Sequence, residues 1–304
     1  MKSNKNTPDL ILITGTARNV ESSIERDIGL LIEILGRFFR VEAHIIESDS
    51  SDDSVAILTH LSKMDDSISF KSLGKLAKSI PERVDRIRYC RNVYVDYIRS
   101  NYEQKKWKHI VIADFDGINR ALDFKGIETT LALSSTYAGI FANQTFGYYD
   151  LYALRAQGWI EIDPIRQYQE SIADVQRSSV AKRHPAILRR IREFNLRSLL
   201  IYKQMRRIKA NQEPINVESA FGGFGFYNPL VFLEFDYSPI STEVLQSEHV
   251  DLHLKAHNYG HNFVINPRLI NSKVNTYNIN KVTVVRILRN FRIIRKVFRK
   301  ILYL

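Results

Sequence analysis

The chain has 304 residues, 44% hydrophobic and 25% charged, an ordinary globular composition long enough for one large domain or two small ones. A single cysteine, Cys90, excludes a disulfide framework and a cysteine-based zinc site, and no apolar run approaches the roughly 20 residues of a membrane span. The net charge of +11 is unevenly placed: after Asp251 there are 11 Lys and Arg and no acid, so the first 251 residues are neutral overall, which argues against a nucleic-acid groove spread over the fold.

The N-terminus, MKSNKNTPD, is polar and is followed by only four apolar residues, which does not resemble a secretory leader. A reducing, cytoplasmic setting is expected. Leu10 to Thr14 reads as a first strand, followed by the loop GTARN. From Val20 to Phe39 the positions Ile24, Ile28, Leu31, Ile32, Leu35 and Phe38 keep helical spacing. Val41 to Glu47 is a second strand, and the acidic, serine-rich SDSSDDS follows it. Strand, loop, helix, strand and acidic loop is the opening of an α/β domain that holds a nucleotide at its strand ends. Gly15 would let backbone approach a base, and Glu47 or Asp49 could accept hydrogen bonds from base or ribose. A solvated turn accounts for the same residues.

Pro81 to Ser100 predicts a helix, with proline suited to its first turn. Val84, Ile87, Val95 and Ile98 define one apolar face, and Arg88 and Arg91 fall inside it. Two guanidiniums on a core-facing stripe need anionic partners. An internal carboxylate would serve, and so would a diphosphate, for which the forked donors of arginine are well shaped.

The next stretch, IVIADFDGIN from Ile110 to Asn119, is the most telling. A buried strand runs into Asp114 and Asp116, which in extended chain point to the same side, and turns at Gly117. Neighbouring carboxylates repel, and a divalent cation relieves that repulsion. Oxygen ligands suit Mg²⁺ or Mn²⁺, which keep positions open for phosphate oxygens. The DFDG string also looks like the first motif of haloacid-dehalogenase-type phosphatases. That family has Thr after the glycine, where this chain has Ile118, and the motif usually opens the domain.

Residues 134–163 interleave aromatics with Asn143, Gln144, Asp150 and Arg155, a mixture used by sugar clefts and by aromatic cores alike. Arg177 to Lys209 carries 11 basic residues against one acid, Glu193, and predicts one or two basic amphipathic helices. AFGGFGFYNP, Ala220 to Pro229, reads as a mobile glycine loop. In SEHVDLHLKAHNYGHNF, His249 and His253 could share a helix face, and Glu248 is a candidate acid, base or charge stabiliser. The tail, KVTVVRILRNFRIIRKVFRKILYL, alternates basic and apolar positions as helices lying on anionic lipid do. Packing on its own domain or on a second subunit is the alternative for that tail.

These pieces, in this order, look like a GT-A-type glycosyltransferase. The chain resembles the fungal capsule-associated α-1,3-mannosyltransferase family and its bacterial relatives, through TARNVESSI, ESDSSDDS, RIRYCRN, IVIADFDGIN, GYYDLYALR, SAFGGFGFY and SEHVDLH. The resemblance, which stops before the tail, implies a Rossmann-like mixed sheet flanked by helices over residues 1–275; the residues themselves add 177–210 as a basic helical insertion and 280–304 as a C-terminal amphipathic helix. It implies a nucleotide-sugar donor, Mn²⁺ or Mg²⁺ at Asp114 and Asp116, and transfer with retention. Donor-binding residues would be Thr14, Gly15, Thr16, Arg18, Asn19, Glu47, Asp49, Arg88, Arg91, Asn92 and Asp114. The acceptor or sugar would meet Tyr149, Arg155, Phe221, Gly222, Gly223 and His249, with Asp150 and Glu248 catalytic. His249 stands where the wider class has Asp, and His253 is the expected third metal ligand. The acceptor would be a saccharide, lipid-linked, at the inner face of the cytoplasmic membrane, with a homodimer allowed and nucleic acid not a partner. Basic nucleic-acid binding through the two cationic stretches is the rival function.

Overall fold

The computed structural model describes residues 8–177, 186–241 and 246–273. Its eight strands are Leu10–Ala17 (β1), Arg40–Glu47 (β2), Ile68–Ser72 (β3), His109–Ala113 (β4), Gly139–Gln144 (β5), Ile215–Val217 (β6), Phe224–Tyr227 (β7) and Phe263–Ser272 (β8). They form one sheet in the order β3-β2-β1-β4-β7-β5-β8-β6. The strands β1 to β4 run parallel, as do β5 and β8, whereas β7 and the edge strand β6 run against their neighbours.

Side-chain alternation explains why β1 and β4 lie inside the sheet. Leu10, Leu12, Ile110 and Ile112 feed the core on one face, while Ile11, Ile13, Val111 and Ala113 feed the core on the other. A strand that is apolar on both sides needs cover on both. Helices Ile24–Leu35 (α1), Ser54–Met64 (α2) and Phe124–Leu133 (α4) cover one face; Arg83–Lys105 (α3), Leu230–Glu234 (α7) and Glu248–Asn258 (α8) cover the other. Pro164–Arg177 (α5) and Ala186–Arg197 (α6) lead into a π-helix, Ser198–Tyr202.

The expected mixed sheet flanked by helices is present. Two expectations change. The loop GTARN is shorter than its residues suggest, because β1 continues through Ala17 and pairs with β2 as far as Glu47. The glycine stretch is no mobile loop over its length: Phe224–Tyr227 is β7, which runs antiparallel between β4 and β5 and takes up backbone hydrogen bonds that both would otherwise leave unmet. The amphipathic helix expected at 280–304 lies outside the described residues, as does 178–185 of the basic insertion. Among the described residues no helix is long and apolar enough to cross a membrane.

Candidate active site

A cavity of about 580 Å³ opens at the carboxyl ends of β1, β2 and β4. Its floor is the turn that follows β4. Here the backbone is held by its neighbours: Asp114 N donates to Gly223 O (2.9 Å), and Asn119 Nδ2 donates to Asp114 O (2.8 Å) and Gly223 O (3.0 Å). Asn119 in turn accepts from Asn271 Nδ2 at 2.9 Å. From the α1 side, the Asp27 carboxylate accepts from Gly117 N (2.7 Å), and Ser23 Oγ donates to Phe115 O (2.6 Å). Gly223 is at φ +90°, and a Cβ there would press on Ile118, so glycine is what lets β7 begin against this turn.

With its backbone fixed by these groups, the turn leaves the Asp114 and Asp116 side chains at the cavity wall. Burial pushes the Asp114 carboxyl up to about 7; Arg91 opposes that rise, and Asp116, Asp150 and Glu248 add to it. Asp116 is also raised, by burial first and by Asp27 among its neighbours, although Ile118 N donates to it (3.2 Å). The turn therefore carries more negative charge than its protein surroundings balance. A divalent cation fits this deficit. Among the described residues no three His, Cys, Asp or Glu gather to hold a metal, so the chain would contribute the two aspartates, and water and ligand oxygens the remaining positions.

Across the cavity, Arg91 on α3 donates through Nε to Glu248 Oε1 (3.0 Å) and through Nη1 to Tyr94 (3.1 Å). Burial works against its charge, but Tyr94, Glu248, Tyr237 and Asp114 together raise its pKa well above the ordinary value. Glu248 stands in the first turn of α8, where the helix N-terminus favours an anion. Asp150 accepts from Gly222 N (2.9 Å) and Ala153 N (3.3 Å), and burial raises its pKa. His249 stacks on Phe221 with centroids 3.9 Å apart. Burial first, then Arg91 and His253, lower its pKa well below the ordinary range, so it stands neutral. Neither of its ring nitrogens has a hydrogen-bond partner, and Nε2 stops 3.9 Å from Glu248 Oε1.

The cavity is thus lined by Asp114, Asp116, Arg91, Tyr149, Asp150, Phe221, Glu248 and His249, together with Thr16, Arg18 and Asp49. Gly222 and Gly223 act through their backbone, on Asp150 and on the Asp114 turn.

Several expected site residues are engaged elsewhere. His253 is fully buried, and its two ring nitrogens face Ser219 Oγ and Tyr227 Oη, both at 2.9 Å, which leaves no lone pair for a metal. Arg88 is taken by Asp251 (2.7 Å), Asp85 (3.0 Å) and Gln246 O (3.0 Å) and does not reach the cavity, so its partner is the internal carboxylate. Asn92 accepts from Tyr237 N (2.9 Å) and fixes the α3 flank. Arg155 donates to the Leu154 and Tyr152 carbonyls and faces Asp163 (3.7 Å), inside the fold. Thr14 Oγ1 donates to His44 O, and Gly15 lies within β1, where a Cβ would collide with the Ala113 carbonyl; its role is strand packing rather than approach to a base. Glu47 accepts from Ser50 N and Ser72 Oγ, and Asn19 accepts from Ser51 N, so both organise the loop around the cavity instead of lining it.

Other lining residues were not singled out: Arg83, Arg86, Tyr152, Arg197 and Tyr202. Arg83 had a signal, since it lies four residues before Ile87 and seven before Cys90 on the helix stripe that meets the cavity. Arg197 and Tyr202 had none, because they reach the cavity from a segment more than eighty residues beyond β4.

No protein-family model matches the chain, and no characterised protein sequence matches it. Among solved structures, it is similar to the mannosyltransferase PcManGT from Pyrobaculum calidifontis in complex with GDP-Man and Mn²⁺, at 10% identity and a TM-score of 0.47, over 93% of this chain and 65% of that one. It is also similar to TarS 1–349 of S. aureus in complex with UDP-GlcNAc, at 10% identity and a TM-score of 0.44, over 89% of this chain and 60% of that one. The chain therefore spans less than two thirds of either structure's length.

Proposed function

We propose that the protein is a metal-dependent glycosyltransferase that moves a sugar from a nucleotide-sugar donor to a saccharide acceptor. One observation carries this reading: a pair of under-balanced carboxylates and a captive arginine share one cavity at the carboxyl ends of parallel strands. Crevices in that position are where open α/β sheets hold nucleotides. The base and ribose fit where Thr16, Arg18 and Asp49 line the cavity beyond β1 and β2; Asp49 Oδ2 accepts no hydrogen bond and faces Arg86 Nε at 3.8 Å. The diphosphate fits between Arg91 and the Asp114–Asp116 turn, and the sugar and acceptor fit beside Tyr149, Asp150, Phe221, Glu248 and His249.

Bound there, Mn²⁺ or Mg²⁺ would offset the charge of the departing diphosphate. Arg91 supplies a second, fixed positive group aimed at the same charge, without reorganisation during the reaction. Glu248 holds Arg91 in place through its 3.0 Å hydrogen bond. Asp150, set by two backbone donors, orients a hydroxyl. In a front-face retaining transfer the acceptor proton passes to the leaving phosphate oxygen, so no protein nucleophile is needed. In an inverting transfer Glu248 would be the base, and the anomeric configuration of the product, read by NMR, separates the two. The favoured donor is GDP-mannose, with a UDP-sugar as the other choice, and the favoured acceptor is lipid-linked. The tail 280–304 would bring the chain to the inner face of the cytoplasmic membrane.

A panel of nucleotide sugars should contain one that stabilises the protein and is consumed only with Mn²⁺ or Mg²⁺. Asp116→Ala should lower that turnover by about 10²–10³-fold, the usual cost of losing one electrostatic contact to the transition state. Full turnover in excess chelator, or an undiminished Asp116→Ala enzyme, refutes the proposal.

A further inference from the structure

The transfer reading makes no use of one cationic surface. Between Arg192 and Lys209 six cations are exposed, namely Arg192, Arg197, Lys203, Arg206, Arg207 and Lys209, against a single acid, Glu193. Apolar side chains are exposed on this segment and the one beside it: Leu199 is 50% exposed, Phe194 39% and Ile162 64%. The two segments are joined. Trp159 Nε1 donates to Gln204 O (2.8 Å), Arg206 donates to Gly158 O (3.0 Å), and the Arg206 guanidinium lies 5.3 Å over the Trp159 ring. Arg197 sits over both Tyr168 and Tyr202, which fastens α5 to the π-helix. That π-helix links the surface to the active-site cavity, because Ile201 lines the cavity while Leu199, two residues earlier, is exposed.

We infer that this face, Ile162 with residues 192–209, docks on an anionic bilayer surface and sets the cavity mouth against it. Exposed aliphatic and aromatic side chains among cations match lipid headgroups above and acyl chains below. Charge excludes the other amphipathic stretch of the chain as the occupant: residues 280–304 carry cations and no acid, so the two stretches repel. Nucleic acid would satisfy the cations but has no use for Leu199 and Ile162. This docking is separate from the tail and from the transfer chemistry, and it can be read without a donor.

The chain has two tryptophans, and they make the test specific. Trp107 is 1% exposed in the core, whereas Trp159 lies in the proposed face. The full chain is mixed with phosphatidylserine–phosphatidylcholine vesicles whose phosphatidylcholine acyl chains are brominated. Trp159 fluorescence should be quenched, and the quenching should vanish in Trp159→Phe. Phe194→Ser with Leu199→Ser should abolish the quenching and weaken vesicle binding by about ten-fold, as expected for loss of inserted apolar area, with an unchanged melting temperature. Vesicle binding without quenching would show that the tail alone docks, and would overturn the inference. Equal quenching with pure phosphatidylcholine, or salt-dependent capture of nucleic acid in preference to vesicles, would overturn it too.

Discussion

Two regions of this molecule gather charge and do so in opposite ways. Between α3 and α8 each guanidinium meets a carboxylate, Arg88 with Asp251 and Arg91 with Glu248, so the layer is neutral within itself. At the turn after β4 the carboxylates of Asp114 and Asp116 stand together with Asp150 and Glu248 nearby; Arg91 answers Asp114 and Arg120 answers Asp116, yet both carboxyls stay raised. The fold alone accounts for the first arrangement. The second leaves negative charge that a cationic ligand would offset. Arg91 belongs to both regions, and Arg88 to the first only.

Paired substitutions at those arginines should split the two roles. Removing either guanidinium alone, as Arg88→Met or Arg91→Met, leaves a buried carboxylate unpaired and should cost about 3–5 kcal/mol in chemical denaturation. Replacing both members with apolar residues should restore stability at either pair. Turnover should return with Arg88→Met/Asp251→Leu and stay lost with Arg91→Met/Glu248→Leu. Equal recovery at both pairs would make Arg91 as structural as Arg88.

The unbalanced turn should show itself in pH dependence. The folded Asp114 carboxyl titrates at about 7, above its ordinary 3.8, so the folded state binds a proton that the unfolded state has already released. Stability without divalent ions should therefore fall as pH rises from about 4 to about 7. Asp114→Asn should flatten that slope in a series of melting curves, and Mn²⁺ should raise the wild-type melting temperature most at the upper end. A wild-type slope that Asp114→Asn leaves intact would assign it to another group.

His253 gives a smaller test of the same contrast. His253→Phe leaves the Tyr227 hydroxyl without its partner and Ser219 with only the Ala153 carbonyl, and should cost about 1–3 kcal/mol, while Mn²⁺ affinity by titration calorimetry stays unchanged. A loss of metal affinity would return His253 to the site. Smallest of all, Asn92→Ala removes one hydrogen bond to Tyr237 N and should cost about 1 kcal/mol with no change in donor binding.

Much of the architecture was legible because it rests on local periodicity. Alternation in β1 and β4, the 3.6-residue stripe of α3, and the run of strand into DFDG are properties of neighbours in the chain. The carboxylate pair could be read for the same reason: two residues apart in extended chain is a local geometry. Gly15 shows the limit. As a residue after a short strand it suggests an opening for a base, yet β1 runs on past it, and its missing side chain is where the Ala113 carbonyl packs.

By itself, then, the sequence determined the α/β class, the helix face that buries two arginines, and the acidic turn at a strand's end. Which arginine faces the cavity was decided only in three dimensions, because Asp251 and Glu248 lie more than 150 positions away and α8 alone sets which of them each guanidinium meets. The same holds for His253, captured by Ser219 and Tyr227, and for the glycine stretch, which became a central strand once β4 and β5 flanked it. Partners for buried charge and for backbone donors come from whatever the fold brings near, and spacing along the chain carries no record of that.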